Sequence, residues 1–311
     1  MNSTDSQKTK NVLLTSKKNI ELDILLELTR DAIRKVRKIE LDDYGIHPRR
    51  YALLLILQDM EDIPTPAQLA RRLLRERHSV SELLSKMEKD KLVKKVNDVV
   101  RKNRIRVLLT KKGSKLTDLA SKRESIHAVF SILSKRKLQH LYSLLERIRD
   151  SILVDYGLKR SVPHVRSEDL DYLVFLLLVE TTDEIIKLRQ KQLTGYGIHY
   201  RRAALLVLLN NIHEPPTAVE IARHLCRERN SVSELLNKME RDGLIKKVRD
   251  LKKKNIIRFE LTEKGRDAYD QTKEHSPVQG IMAKLSKKER RELESYLLTL
   301  YNKTLEEIER I

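Results

Sequence analysis

Apolar residues recur at helical spacing along most of the chain and alternate only in a few short stretches. Over residues 19–43, Ile20, Ile24, Leu28, Ile33 and Val36 fall near one helical face, and the pattern breaks at Tyr44-Gly45. A second apolar helix is predicted over about 48–60, stopping before "EDIPTP". Thr65-Pro66-Ala67-Gln68 reads as the next helix start, with Thr as N-cap, Pro in the first turn and Gln completing a capping box. In "RERHSVSELLSKMEKDKLVKKV" (75–96), Val80, Leu83, Leu84 and Met87 share one face, while His78, Glu82, Ser85 and Lys89 share the other. Residues 93–96 and 105–109 can pair as short strands around a polar tip at 97–104. Thr110 and Ser134 read as caps of further helices, the last running to about Asp155.

The same order is spelled again 152 residues later. Tyr44-Gly45-Ile46-His47 aligns with Tyr196-Gly197-Ile198-His199, Ser79-Val80-Ser81-Glu82 with Ser231-Val232-Ser233-Glu234, and Leu109-Thr110 with Leu261-Thr262. About 40 of 70 aligned positions are identical without a gap, and each copy is far longer than a solenoid repeat. The chain is a duplicated domain. Its expected organisation is a polar N-terminal tail (1–14), a first unit (15–156), a linker "GLKRSVPHVRS" (157–167) and a second unit (168–311). Long helices at about 19–43, 110–155, 168–195 and 262–309 are expected to form one shared helical body. The fold class is mainly α, with small β-wings.

Specific residues sharpen this. The first copy carries Ala70, Val80-Ser81, Leu83-Leu84, Met87-Glu88, Leu92-Val93, Leu109-Thr110 and Gly113. The second carries Ala222, Val232-Ser233, Leu235-Leu236, Met239-Glu240, Gly243-Leu244-Ile245, Leu261-Thr262 and Gly265. With the order of elements, this motif resembles the MarR family of winged helix-turn-helix transcription regulators over almost the whole of each copy. The resemblance implies tandem winged helix-turn-helix domains with long helical dimerisation arms. Because family members are usually single-copy chains that dimerise, it further implies a single-chain pseudo-two-fold dimer. The wing departs from the family pattern. Where an Asp-x-Arg often precedes the second strand, this chain has Arg101-Lys102-Asn103 and Lys253-Lys254-Asn255.

Charge narrows the partner. With 64 Lys+Arg against 45 Asp+Glu, the chain carries +19, which favours nucleic acid or an anionic membrane surface. "LVFLLLV" at 173–179 is far short of the roughly 20 apolar residues of a membrane span, so no membrane is expected. The polar "MNSTDSQKTKN" start resembles neither a signal nor an anchor, and Cys226 is the single cysteine; cytoplasm is the expected location. There is no glycine-rich phosphate loop, no His-Glu-x-x-His and no cysteine pair, so neither an enzyme nor a cofactor is expected. Cys226 stands where the first copy has Leu74 and reads as a small core residue ahead of a redox sensor.

The expected partner is double-stranded DNA. Base-reading candidates on the polar faces of the two recognition helices are Arg77, His78, Ser81, Ser85 and Lys86, and Arg229, Asn230, Ser233, Asn237 and Lys238. Arg can take guanine and Asn adenine through two hydrogen bonds, while Ser serves base or phosphate. A merely solvated helix face is the alternative. Phosphate candidates are Arg49, Arg50, Arg71 and Arg72, their counterparts Arg201, Arg202 and Arg223, and the wing residues Arg101, Lys102, Lys253 and Lys254. The resemblance also implies a pocket for a small aromatic effector, near which Tyr44, His47, Tyr51, Tyr196, His199 and Tyr200 lie in sequence. Core tyrosines and packed corner histidines are the alternative, and no metal site is expected. A regulator acting as a monomer with an internal pseudo-dimer on an imperfect palindrome is the favoured reading. The other classes are an architectural nucleic-acid binder and a winged-helix interaction scaffold.

Overall fold

The computed structural model describes residues 22–73, 75–98, 104–156, 168–212, 214–249, 256–273 and 277–310. The first copy runs α1 (Leu22–Asp43), α2 (Pro48–Asp59), α3 (Pro66–Arg72), α4 (Arg77–Lys89), β1 (Val93–Asn97), β2 (Ile105–Leu109), α5 (Lys111–Ala120), α6 (Glu124–Phe130) and α7 (Lys135–Asp155). The second repeats it as α8 (Leu170–Thr194), α9 (Tyr200–Asn211), α10 (Ala218–His224), α11 (Arg229–Arg241), β3 (Ile245–Arg249), β4 (Ile257–Leu261), α12 (Glu263–Lys273), α13 (Pro277–Ala283) and α14 (Lys287–Arg310). This is a tandem winged helix-turn-helix.

Local chemistry sets the boundaries. Thr65 and Thr217 both close capping boxes, accepting from Gln68 N–H and Glu220 N–H while those side chains accept from the Thr N–H. Thr110 Oγ1 accepts from Gly113 N–H, and Ser134 caps α7. Each wing is an antiparallel hairpin, with Val93 opposite Leu109 and Ile245 opposite Leu261. Gly113 and Gly265 open α5 and α12 against the preceding strands. A Cβ there would lie 2.2 Å from Leu92 O and 2.0 Å from Leu244 O, so only glycine lets the helix approach this closely.

One expectation needs correction. The spans 110–155 and 262–309 are not single long helices; each is broken into three. The unread break is at Arg123, which adopts a left-handed φ of 54° between α5 and α6; the other falls at Ser134, where the sequence placed a helix start. In the second copy, Ser286 and Glu289 form a reciprocal cap that starts α14.

The chain divides into two compact units. One takes in Arg34–Ala128, and its core joins Leu53, Leu54, Leu69, Val80, Leu84, Met87 and Val107. The other takes in the described residues of Met1–Ile33, Val129–Arg160 and Glu168–Ile311. There Ile24, Leu28 and Ala32 of α1 enter a core built by Leu193, Leu205, Ile221, Leu236, Phe259 and Tyr301 of the second copy. In the same unit α7 packs along α8 and against α13 and α14, and Thr29 Oγ1 lies 3.3 Å from Leu297 O. The compact units therefore cut across the two copies: the first copy lends its arms to the unit that holds the second winged lobe. No described helix is long and apolar enough to cross a membrane.

Candidate nucleic-acid interface

The two recognition helices are amphipathic for the reason the pattern gave. Val80, Leu84 and Met87 of α4, and Val232, Leu236 and Met239 of α11, are buried. That leaves Arg77, His78, Ser81, Ser85 and Lys86 exposed in the first lobe, and Arg229, Asn230, Ser233, Asn237 and Lys238 in the second. Both helices start after a Glu N-cap (Glu76, Glu228) whose side chain makes no capping bond. The first-turn N–H groups and the basic residues beside them therefore face solvent, as an anion-accepting helix start requires.

The two faces are not equally available. Ser85 Oγ donates to Ser81 O at 3.0 Å and accepts from Lys95 Nζ at 2.9 Å. Lys95 also pairs with Glu88 at 3.3 Å, and the equivalent lysine, Lys247, pairs with Glu240 at 2.6 Å. Among the described residues, none bonds the Asn237 side chain.

Behind each recognition helix an arginine ties α2 or α9 to its far end. Arg50 meets Asp90 at 2.6 Å, and Arg202 meets Asp242 at 2.6 Å. Arg72 pairs with Asp59 at 3.0 Å, and Arg223 lies 4.0 Å from Glu309. Arg49, Arg71 and Arg201 are exposed. In the second lobe a groove of about 430 Å³ runs beside α11, lined by His199, Arg201, Arg202, Arg227, Ser231 and Lys238 among others. Glu234 is the one carboxylate in its lining; Arg202 and Arg227 are also paired outside it, with Asp242 and Glu27, while Arg201 is exposed, so the groove keeps a cationic character that favours an anionic oxygen. The wing residues Arg101, Lys102, Lys253 and Lys254 lie outside the described residues.

The candidate effector residues have local partners. His47 and His199 are N-caps whose Nδ1 accepts from Arg49 N–H and Arg201 N–H, each at 3.2 Å. Tyr51 is buried, bonded to Ser121 Oγ at 3.2 Å and covered by the Arg37 guanidinium 5.1 Å from its ring centre. Tyr44 is half-buried, its hydroxyl 3.5 Å from Glu40, and Tyr196 is exposed. Tyr200 is buried. Burial and the neighbouring Glu27 and Asp23 carboxyls hold its hydroxyl well above the usual phenol range.

Sequence reasoning missed a buried charge cluster in this unit. Arg189, fully buried in α8, faces Asp23 of α1 at 3.2 Å and donates to Thr272 O at 2.7 Å and Gln192 Oε1 at 2.8 Å. Glu27 of α1 accepts from Arg227 at 2.9 Å, and Arg30 meets Asp183 at 2.6 Å. Burial raises the Asp23 carboxyl against the pull of Arg189. The readable signal was Arg37 recurring as Arg189 at the repeat spacing. Nothing in the periodicity marks the two acids, which occupy positions that a helix would give to apolar residues.

Residues 44–101 match the MarR family model, and residues 200–265 match a model for a winged helix DNA-binding domain. Among solved structures, the S. aureus MepR–DNA complex is 24% identical, covers 38% of this chain and 89% of its own, and has a TM-score of 0.34. The organohalide-sensing regulator RdhR-CbdbA1625 in its 2,4-dichlorophenol-bound form is 29% identical, covering 48% of this chain and 90% of its own at a TM-score of 0.38. A MarR-family transcriptional regulator from Rhodococcus sp. RHA1 is 18% identical, covering 43% and 98% at a TM-score of 0.39. No curated protein matches the chain.

Proposed function

We propose that this chain, a MarR-type winged-helix protein with one such unit in each half, is a transcription regulator that reads double-stranded DNA with two covalently joined lobes. The observation that carries the reading is the paired occurrence of an exposed basic helix face, Arg77 to Lys86 and Arg229 to Lys238, each mounted on a buried apolar stripe. Such a helix places its first residues at base edges in the major groove, while flanking arginines neutralise phosphates and fix register. Fusion supplies the second reader at high effective concentration, so the chain acts as an internal pseudo-dimer and is a monomer in solution. Because the two faces differ at His78/Asn230 and Ser85/Asn237, the operator is an imperfect palindrome. Asn237, with a carboxamide unengaged by described residues, makes the second lobe the stricter reader. A small aromatic effector belongs to the same proposal, and release of bound DNA by phenolic carboxylates is its test.

Footprinting on the DNA upstream of the protein's own gene tests the function. A bounded protected site, whose affinity falls steeply with salt in proportion to the phosphates neutralised, is the expected result. Diffuse coverage would favour an architectural role, and no protection would leave an interaction scaffold; either contradicts the proposal.

A further inference from the structure

The buried acids of α1 bear on the second recognition helix. Arg227 lies in the short link between α10 and α11, two residues before Arg229, and its N–H donates to Ala222 O at 3.0 Å. Its guanidinium lines the cationic groove beside α11 and at the same time donates to Glu27 Oε1 at 2.9 Å. Glu27 is 4% exposed and belongs to the first copy, 200 residues away in sequence. In the repeat alignment Arg227 corresponds to Arg75, whereas Glu27 corresponds to Val179, and Asp23 to Phe175. The duplicated arm thus offers Arg75 no carboxylate at the equivalent places.

We infer that Glu27 is a positioning residue for the second recognition helix, acting through Arg227 to fix the start of α11 to the α1 arm. This rests on the reading of α11 as a DNA reader. The bond sets where the first turn of α11 sits and how much of the Arg227 charge is left for a phosphate in the groove. The positions equivalent to Glu27 and Asp23 carry no acid in the second arm, so the two readers differ in preorganisation as well as in lettering.

The anchor responds to protons. Around Glu27 stand Arg30 and Asp31 on its own helix, Asp23 one turn earlier, Tyr200 at the start of α9, Arg189 on α8, and Arg227. Burial and then Asp31 push its carboxyl up to about 7, against Arg227 and Arg30, which pull it down. The charge-assisted bond to Arg227 is therefore complete above about pH 7 and weakens below it. The stability contribution has the opposite sign. A carboxyl raised in the folded state binds its proton more tightly there, so stability falls as pH rises from the ordinary carboxylate range to about 7. Glu27→Gln is thus expected to be no less stable than the parent at pH 8, which separates loss of positioning from loss of fold.

The experiment compares the full-length parent, Glu27→Gln and Arg227→Gln by amide hydrogen exchange between pH 6 and 8.5, corrected for intrinsic rates. In the same proteins, affinity is measured for a duplex carrying the footprinted site and for one with its second half-site scrambled. In the parent, protection at 232–235, the first amides of α11 bonded within the helix, and discrimination between the duplexes rise together through pH 7. Both variants lose that rise, and at pH 8 exchange is roughly tenfold faster at the start of α11, while the amides of α4 are unchanged. Protection and a pH profile in Glu27→Gln equal to the parent's overturn the inference. If the parent binds no DNA site, the proposed function fails, and the exchange measurement still decides whether Glu27 positions α11.

Discussion

Arg37 and Arg189 hold equivalent places in the two copies and do the same local work with different partners. Each guanidinium donates to the last turn of the helix after the wing, Arg37 to Ala120 O at 2.6 Å and Arg189 to Thr272 O at 2.7 Å. Arg37 is neutralised within its own helix by Glu40 at 2.5 Å. The second copy has Gln192 at that position, and Arg189 draws its negative charge from Asp23 of the first copy. In a homodimer any such exchange would appear on both sides of the two-fold axis. Fusion lifts that constraint, and one copy can specialise as support while the other specialises as the supported reader.

Breaking the cross-copy pair should have the largest effect. Arg189→Met strands Asp23 in a dry site and orphans Thr272 O, and should cost about 3–5 kcal/mol. Arg37→Met should cost less, roughly 1–2 kcal/mol, because Glu40 keeps bonds to the Glu124 and Ser125 N–H groups. Denaturant unfolding of both variants checks this, and equal losses would mean that the two arginines carry the same load.

Acid should act through a second difference between the copies. His224 is buried in the second lobe, where the first has the half-exposed Arg72. Burial, and then Arg223, hold His224 down at about 4. A depressed histidine contributes stability that is present above its ordinary range near 6.5 and lost as pH falls through about 4. The loss should approach 3 kcal/mol in the unit holding the second lobe. NMR titration of the His224 ring together with pH-dependent unfolding tests it; a ring that titrates near 6.5 would contradict the assignment.

The smallest effect concerns the turn after each recognition helix. Lys91 adopts φ 58° where the second copy places Gly243 at φ 71°. Lys91→Gly should stabilise the first lobe by about 1 kcal/mol, and Gly243→Lys should destabilise the second by a similar amount. Thermal unfolding reads both, and changes of the same sign would show that the two turns are not equivalent.

These differences also mark what was legible beforehand. The caps at Thr65, Thr217, Thr110 and Ser134, the strand pairs and the buried stripe of each recognition helix follow from local periodicity and side-chain chemistry, and the sequence carried them. The break between α5 and α6 was not equally visible. The Arg123 turn has no glycine to announce it, and a left-handed arginine carries no sequence signal. Nor did any local pattern reveal that the first half of α1 would enter the core of the second winged lobe, or that Asp23 and Glu27 would be buried there. Those placements come from non-local packing, which the 3.6-residue period does not encode. At the interface, exposure of the ten helix residues was readable from the face opposite the apolar stripe. The ion pairs that occupy Arg50 and Arg202, and the capture of Ser85 by Lys95, depend on partners about 40 and 10 residues away.

That one chain supplies two unequal readers is tested most directly by the stoichiometry of the DNA complex. Sedimentation of the chain with a duplex bearing its selected site should give one chain per duplex. The site should contain two related, non-identical half-sites about one helical turn apart, with the stricter one assigned to α11 by cross-linking from Asn237. A complex holding two chains on a perfectly symmetric site, each chain protecting one half, would contradict it.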